Sequence, residues 1–155
     1  MTKASGLRLL LIFLAPMALT SLVTQFWGIS VNTTDSLKYK IFLVRKSALP
    51  AKGEYITFKA PEGSRYKEPF VKVVGGIQGD VVHREGRSYY VGGQYIGEAK
   101  EFSKAGEPAK LGPVGVIPQG SYFVYTNNKD SYDSRYEEVS WIKSSDVIGV
   151  AYPIY

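Results

Sequence analysis

The chain opens on one long apolar run and then changes period. Between Arg8 and Asp35 no residue is charged, and the stretch 9–29, LLLIFLAPMALTSLVTQFWGI, is 21 residues long. As a helix it would reach about 31 Å, matching a hydrocarbon layer of ~30 Å. Pro16 would kink such a helix without forbidding it. Phe26 and Trp27 fall at its far end, where interfacial aromatic residues collect. Lys3 and Arg8 favour a cytoplasmic N-terminal side. A cleaved secretory signal shares the basic start and apolar centre, but Ala15, Pro16, Met17 and Ala18 make a poor small-residue cleavage pattern, and the run continues well past them. The pattern predicts a cytoplasmic tail over 1–8, an uncleaved transmembrane anchor over 9–29 and an exported domain over 30–155.

Beyond residue 35 no long stretch carries apolar residues at helical spacing. Short β-forming runs alternate instead with Gly, Pro, Asn and Asp, and predict strands over 40–45, 54–60, 70–76, 80–86, 88–93, 94–99, 121–127 and 146–154. Gly92-Gly93, between two aromatic β-forming runs, reads as a tight hairpin. Residues 100–120, rich in Lys, Gly and Pro, read as a loop excursion. The fold class is mostly β, an antiparallel β domain preceded by one N-terminal transmembrane helix.

Composition narrows the chemistry. The chain has 155 residues, no cysteine and one histidine, His83. A cysteine nucleophile and a disulfide framework are excluded, and a structural Cys/His zinc site has no ligand set. Of the formal charge of +5, Lys3 and Arg8 account for two, leaving +3 on the remainder, interspersed with acidic residues. Nothing resembles the basic stripe of a nucleic-acid binder. Hydrolytic chemistry is left to Ser, Thr, Lys, Asp or Glu. A serine can be activated by neutral lysine. A free lysine, with a pKa of ~10.4, is charged at neutral pH, so a catalytic one must be desolvated or sit near another cation.

Lys72 has the most apolar setting of any lysine after the anchor, flanked by Phe70, Val71, Val73 and Val74. In a strand, Phe70, Lys72 and Val74 share a face. The residues alone leave two readings open: a buried base, or an edge-strand lysine that discourages aggregation. Ser36 lies where the hydrophobic sequence gives way to charged sequence, in NTTDSLK (32–38). It is either polar chain leaving a membrane or a nucleophile held at its surface.

Three segments carry a resemblance. FVKVVGGIQGDVV (70–82) resembles the lysine-bearing segment of bacterial type I signal (leader) peptidases. IPQGSYFVYTNNKDSYDSRY (117–136) resembles their later strand and D-S-R loop, and LPAKGEYITFKAP (49–61) the intervening strand. The segments follow in the family's order and, with the apolar run and NTTDSL, cover most of the chain. The single short anchor, the small domain and the NTTDSL start look most like the conjugative-transfer TraF branch, which matures pilin subunits for type IV secretion.

The resemblance implies a signal-peptidase-like β domain and a serine endopeptidase with a Ser-Lys dyad, Ser36 as nucleophile and Lys72 as general base. It implies an oxyanion hole from the Thr34 hydroxyl and the Ser36 backbone N–H. Ser131 would orient the lysine, and Asp133 and Arg135 would form a structural pair behind the site. No metal or other cofactor is implied. The implied partners are the membrane, an exported precursor such as a pilin or preprotein, and type IV secretion components. The implied place is the bacterial inner membrane, with a single pass, the N-terminus cytoplasmic and the catalytic domain periplasmic. Two departures stand out. Lys38 occupies a position where the family often has proline, and Val73 follows Lys72 where arginine is usual. The competing reading is a catalytically inactive, membrane-tethered β scaffold of a conjugation complex.

Overall fold

The structure is a computed structural model. It describes residues 3–62, 64, 66–103 and 105–155, without the side chains of residues 3–11. Helix α1 runs Lys3–Phe26 with Pro16 inside. The chain then passes directly into strand β1, Trp27–Val31. Ten further strands follow: β2 Ile41–Lys46, β3 Tyr55–Phe58, β4 Phe70–Gly76, β5 Val81–Glu85, β6 Ser88–Val91, β7 Gln94–Glu98, β8 Gly115–Val116, β9 Ser121–Tyr125, β10 Ile142–Lys143 and β11 Val147–Pro153. They form two sheets of antiparallel pairs, a seven-stranded one in the order β1-β2-β11-β3-β4-β9-β10 and a four-stranded one in the order β7-β6-β5-β8. The mostly β, antiparallel expectation holds.

The N-terminal expectation needs correction. Residues 27–29, assigned to the end of the anchor, are strand: Trp27–Val31 pairs with Ile41–Arg45 in unbroken register. The alternation in WGISV explains the switch. Ser30 turns inward, while Ile29 and Val31 are exposed. The start of the run, 9–11, has side chains outside the described residues, and among the described residues no helix is long and apolar enough to cross a membrane. The stretch 100–120 is also not wholly loop, since β8 pairs with β5 and Phe102 bridges to Pro108.

The C-terminal strand closes the larger sheet by lying between β2 and β3. Its aliphatic residues join those of β2 and β4 in a cluster of Phe42, Val44, Val71 and Ala151. On the opposite face of β4, Val74 packs with Ile56, Phe58, Tyr122, Val124, Val139 and Ile142. The smaller sheet has its own core, centred on Val82, Tyr89, Val91 and Ile117, and Phe123 of β9 belongs to it. Val91 pairs with Gln94, so β6 and β7 are joined by the two residues Gly92 and Gly93, both at positive φ (57° and 81°). That is the turn geometry which matches the strand twist and favours glycine.

Candidate active site

Lys72 stands in the middle of the larger sheet, on β4 between β3 and β9. Alternation puts it on the same face as Phe70 and Val74, and Ile56 is its register partner on β3. The side chain is buried (5% exposed), and its Nζ lies 5.9 Å from the centre of the Phe70 ring. It is therefore no edge-strand lysine. Nζ donates to Ser131 Oγ at 2.9 Å, and among the described residues no carboxylate pairs with it. Burial lowers its pKa to about 8; nearby Asp133 pulls upward and Arg135 pushes down again.

Ser131 reaches Lys72 because the segment after β9 folds back on that strand. Ser134 N–H donates to the Val124 carbonyl, and Ser134 Oγ accepts from Val124 N–H at 2.9 Å. This places Asp133 and Arg135 in the interior, 0% and 2% exposed. Arg135 clamps the carboxylate with two parallel bonds, Nε to Oδ1 and Nη2 to Oδ2, each 2.8 Å. Its Nη1 donates to the Glu98 carbonyl of β7, so the same guanidinium ties the loop to the smaller sheet. Burial works against the Arg135 charge, but the hydrogen bond and charge of Asp133 outweigh it and raise its pKa. Gly97 makes room for this: its φ is +144°, and a Cβ there would lie 2.8 Å from Arg135 Nη1.

Ser36, itself half-buried, sits in a largely exposed turn between β1 and β2. Its Oγ lies 2.8 Å from Thr34 Oγ1, and its backbone N–H points at the same oxygen at 3.4 Å. Thr34 Oγ1 in turn donates to Asn32 Oδ1 at 2.9 Å. Lys40 braces the turn from outside, bonding the Thr34 carbonyl and the Asp35 carboxylate, both at 2.9 Å. Lys38 is exposed, with its Nζ 5.7 Å from the Tyr39 ring centre. Val73, on the face of β4 opposite Lys72, registers between Tyr55 and Tyr125.

The expected residues thus form two groups, Thr34 with Ser36, and Lys72 with Ser131, Asp133 and Arg135. Among the described residues no hydrogen bond joins Ser36 to Lys72. Asn128 links the groups, with Nδ2 donating to the Asp35 carbonyl at 2.8 Å. Asn128 and Asn32 escaped the sequence reading because an asparagine in a polar turn has no signature beyond turn propensity. Among the described residues no cluster of His, Asp or Glu is suited to a metal ion.

The family of signal peptidases, peptidase S26, matches residues 2–155. The chain belongs to this family, whose members are serine endopeptidases with a Ser-Lys dyad. A solved signal peptidase I from Enterococcus faecalis V583 is 23% identical, with a TM-score of 0.44, over 66% of this chain and 97% of that one. No curated protein matches the chain. The assignment rests on the family match.

Proposed function

We propose that the chain is a membrane-anchored serine endopeptidase in which Lys72 is the base for Ser36, and that it matures an exported precursor of the pilin type. One observation carries the catalytic part. Lys72 is buried in an apolar face, held by a hydroxyl rather than a carboxylate, and has its pKa lowered to about 8. At neutral pH roughly one molecule in ten then holds it as free base, against roughly one in 2,500 for an ordinary lysine.

In the reaction, Ser36 Oγ attacks the scissile carbonyl as its proton passes to Lys72 Nζ. Lysine returns that proton to the leaving amine, which leaves an acyl group on Ser36. Lys72 then takes a proton from water as the water attacks the ester, and Ser36 is reprotonated. An incoming amine in place of water would give a ligated or cyclic product. The Ser36 N–H and the Thr34 hydroxyl serve the oxyanion, a donor of that kind contributing ~3 kcal/mol to the transition state. Arg135 holds the Asp133 charge, which would otherwise favour protonated Lys72.

Membrane apposition draws on the apolar N-terminal run and on an outward-facing apolar edge. Ile29 and Val31 of β1 and Ile154 and Tyr155 at the C-terminus are exposed, and the Trp27 and Tyr152 rings pack tilted against each other at 6.4 Å between centroids. The domain 30–155 then works at the outer face of the inner membrane, where precursors present their cleavage sites. The pilin substrate and type IV secretion partners rest on the likeness of NTTDSL and the small domain to the TraF branch.

The alternative, a catalytically inactive tethered scaffold, draws on one observation. Ser36 and Lys72 are each hydrogen-bonded to a neighbour and not to one another. Catalytic bonds are commonly loose before substrate binds. Co-expression with the pilin precursor of the same gene cluster separates the readings. The enzyme predicts processing by wild type and none by Ser36→Ala or Lys72→Ala, whereas normal processing by both variants leaves only the scaffold.

A further inference from the structure

The hydrogens around Ser36 can be assigned one by one. Asn32 is nearly buried (9% exposed), and its amide orientation is set from both ends. Nδ2 faces the Tyr39 carbonyl at 3.3 Å, and Oδ1 faces the Thr34 backbone N–H at 3.2 Å. Turning the amide over would set donor against donor and acceptor against acceptor. Oδ1 can only accept, so the hydrogen bond between it and Thr34 Oγ1 uses the single hydroxyl proton of Thr34. Thr34 Oγ1 then has only lone pairs left for Ser36, and both Ser36 donors point at it, the hydroxyl and the backbone N–H.

We infer that Asn32 is a positioning residue for the nucleophile: its side-chain oxygen holds the Thr34 proton, so that Thr34 accepts, and thereby aims, the Ser36 hydroxyl. This rests on the peptidase reading of Ser36 and Lys72. In the resting chain the Thr34 hydroxyl is committed to Asn32 and is not a free donor. For attack the Ser36 hydroxyl turns from Thr34 to neutral Lys72, its O–H bond breaks as the proton passes to Nζ, and the new oxyanion needs a donor beside it. Thr34 keeps its own proton and turns it from Asn32 Oδ1 to the oxyanion. Asn32 Oδ1 is not stranded by that rotation, because the Thr34 backbone N–H still donates to it. Little free energy therefore opposes the turn.

Without the Asn32 oxygen, the Thr34 hydroxyl is free to donate to Ser36 Oγ. That occupies a lone pair of the nucleophile and leaves Thr34 Oγ1 without the partner that fixes its place beside the oxyanion. The loss falls on turnover and not on substrate binding.

The test uses the full-length protein in detergent and an internally quenched peptide with alanine on both sides of the scissile bond. Asn32→Ala and the shape-preserving Asn32→Leu should each lower kcat by roughly 10–100-fold, less than the ~10²–10³-fold of a lost oxyanion-hole donor because Thr34 itself remains, with KM within about threefold. In a Thr34→Val background, where no hydroxyl remains to be held, Asn32→Ala should change kcat by less than about twofold. A purely structural asparagine would instead give effects that multiply with Thr34→Val. Multiplying effects, or both Asn32 variants turning over within about twofold of wild type while Ser36→Ala is dead, overturn the assignment and leave the peptidase reading standing. Cleavage by Ser36→Ala removes both.

Discussion

Replacing Lys72 with methionine keeps the length of the side chain and removes its charge from the apolar face of β4. At pH 7 the lysine is protonated in both the folded and the unfolded chain, and the fold bears the full penalty of burying it. The gap between the ordinary 10.5 and about 8 corresponds to about 3 kcal/mol. Methionine leaves Ser131 Oγ without its 2.9 Å partner, a loss of ~1 kcal/mol. The net expectation is that Lys72→Met stabilises the protein by about 2 kcal/mol at pH 7, or about 4–8 °C in Tm for a chain of this size.

The sign of the pH dependence follows from the lowered pKa. Below about 8 the penalty is complete. From there to about 10.5 the folded lysine is neutral while the unfolded one still binds a proton, so wild type gains stability relative to the variant as pH rises. Above that range the advantage of methionine is gone, and the variant is the weaker by the lost hydrogen bond. Thermal melts of the two detergent-solubilised proteins at a series of pH values from 6.5 to about 11 check this. A difference in Tm that does not change with pH, or a variant less stable than wild type at pH 7, refutes the reasoning.

Other substitutions probe the supporting shell. Arg135→Met leaves the Asp133 carboxylate buried and unpaired and should cost ~3–5 kcal/mol in denaturant titrations. Pairing it with Asp133→Leu should recover most of that loss. Gly97→Ala forces a side chain to a position with φ of +144° and against Arg135 Nη1, so a loss of ~1–3 kcal/mol is expected by thermal melting. Asn128→Ala removes the bond to the Asp35 carbonyl. Its expected effect is a fall in kcat with a stability change within ~1.5 kcal/mol, read by steady-state cleavage and melts of the same sample.

Local pattern carried the sequence reading a long way where period and turn chemistry agreed. Strand β4 was legible at its observed bounds, and the Gly92-Gly93 hairpin followed from two residues that tolerate positive φ. The shared face of Phe70, Lys72 and Val74 was likewise a matter of period two. What stayed hidden was non-local. The continuity of apolar sequence from the helix into WGISV masked β1, whose register is set by β2 and whose apolar side chains point outward. Two-residue strands such as β8 and β10 exist only because a partner strand lies beside them. In the candidate site, Lys72 bonds a serine 59 residues away, a contact that the family likeness suggested and composition did not. The Asp133–Arg135 clamp lies two residues apart and reads as an ordinary polar loop until the fold buries it. The asparagines at 32 and 128 are mute in sequence because their role lies in which atoms they face.

The most direct test of the account is the pH dependence of kcat/KM for precursor cleavage by the purified full-length chain. A base that must be neutral predicts activity rising with pH through a midpoint near about 8, the value set by burial of Lys72. Cleavage should be lost in Lys72→Met at every pH. A rising limb centred near that of an ordinary lysine, or a Lys72→Met variant that still cleaves with an unchanged profile, would contradict the assignment of Lys72 as the base for Ser36.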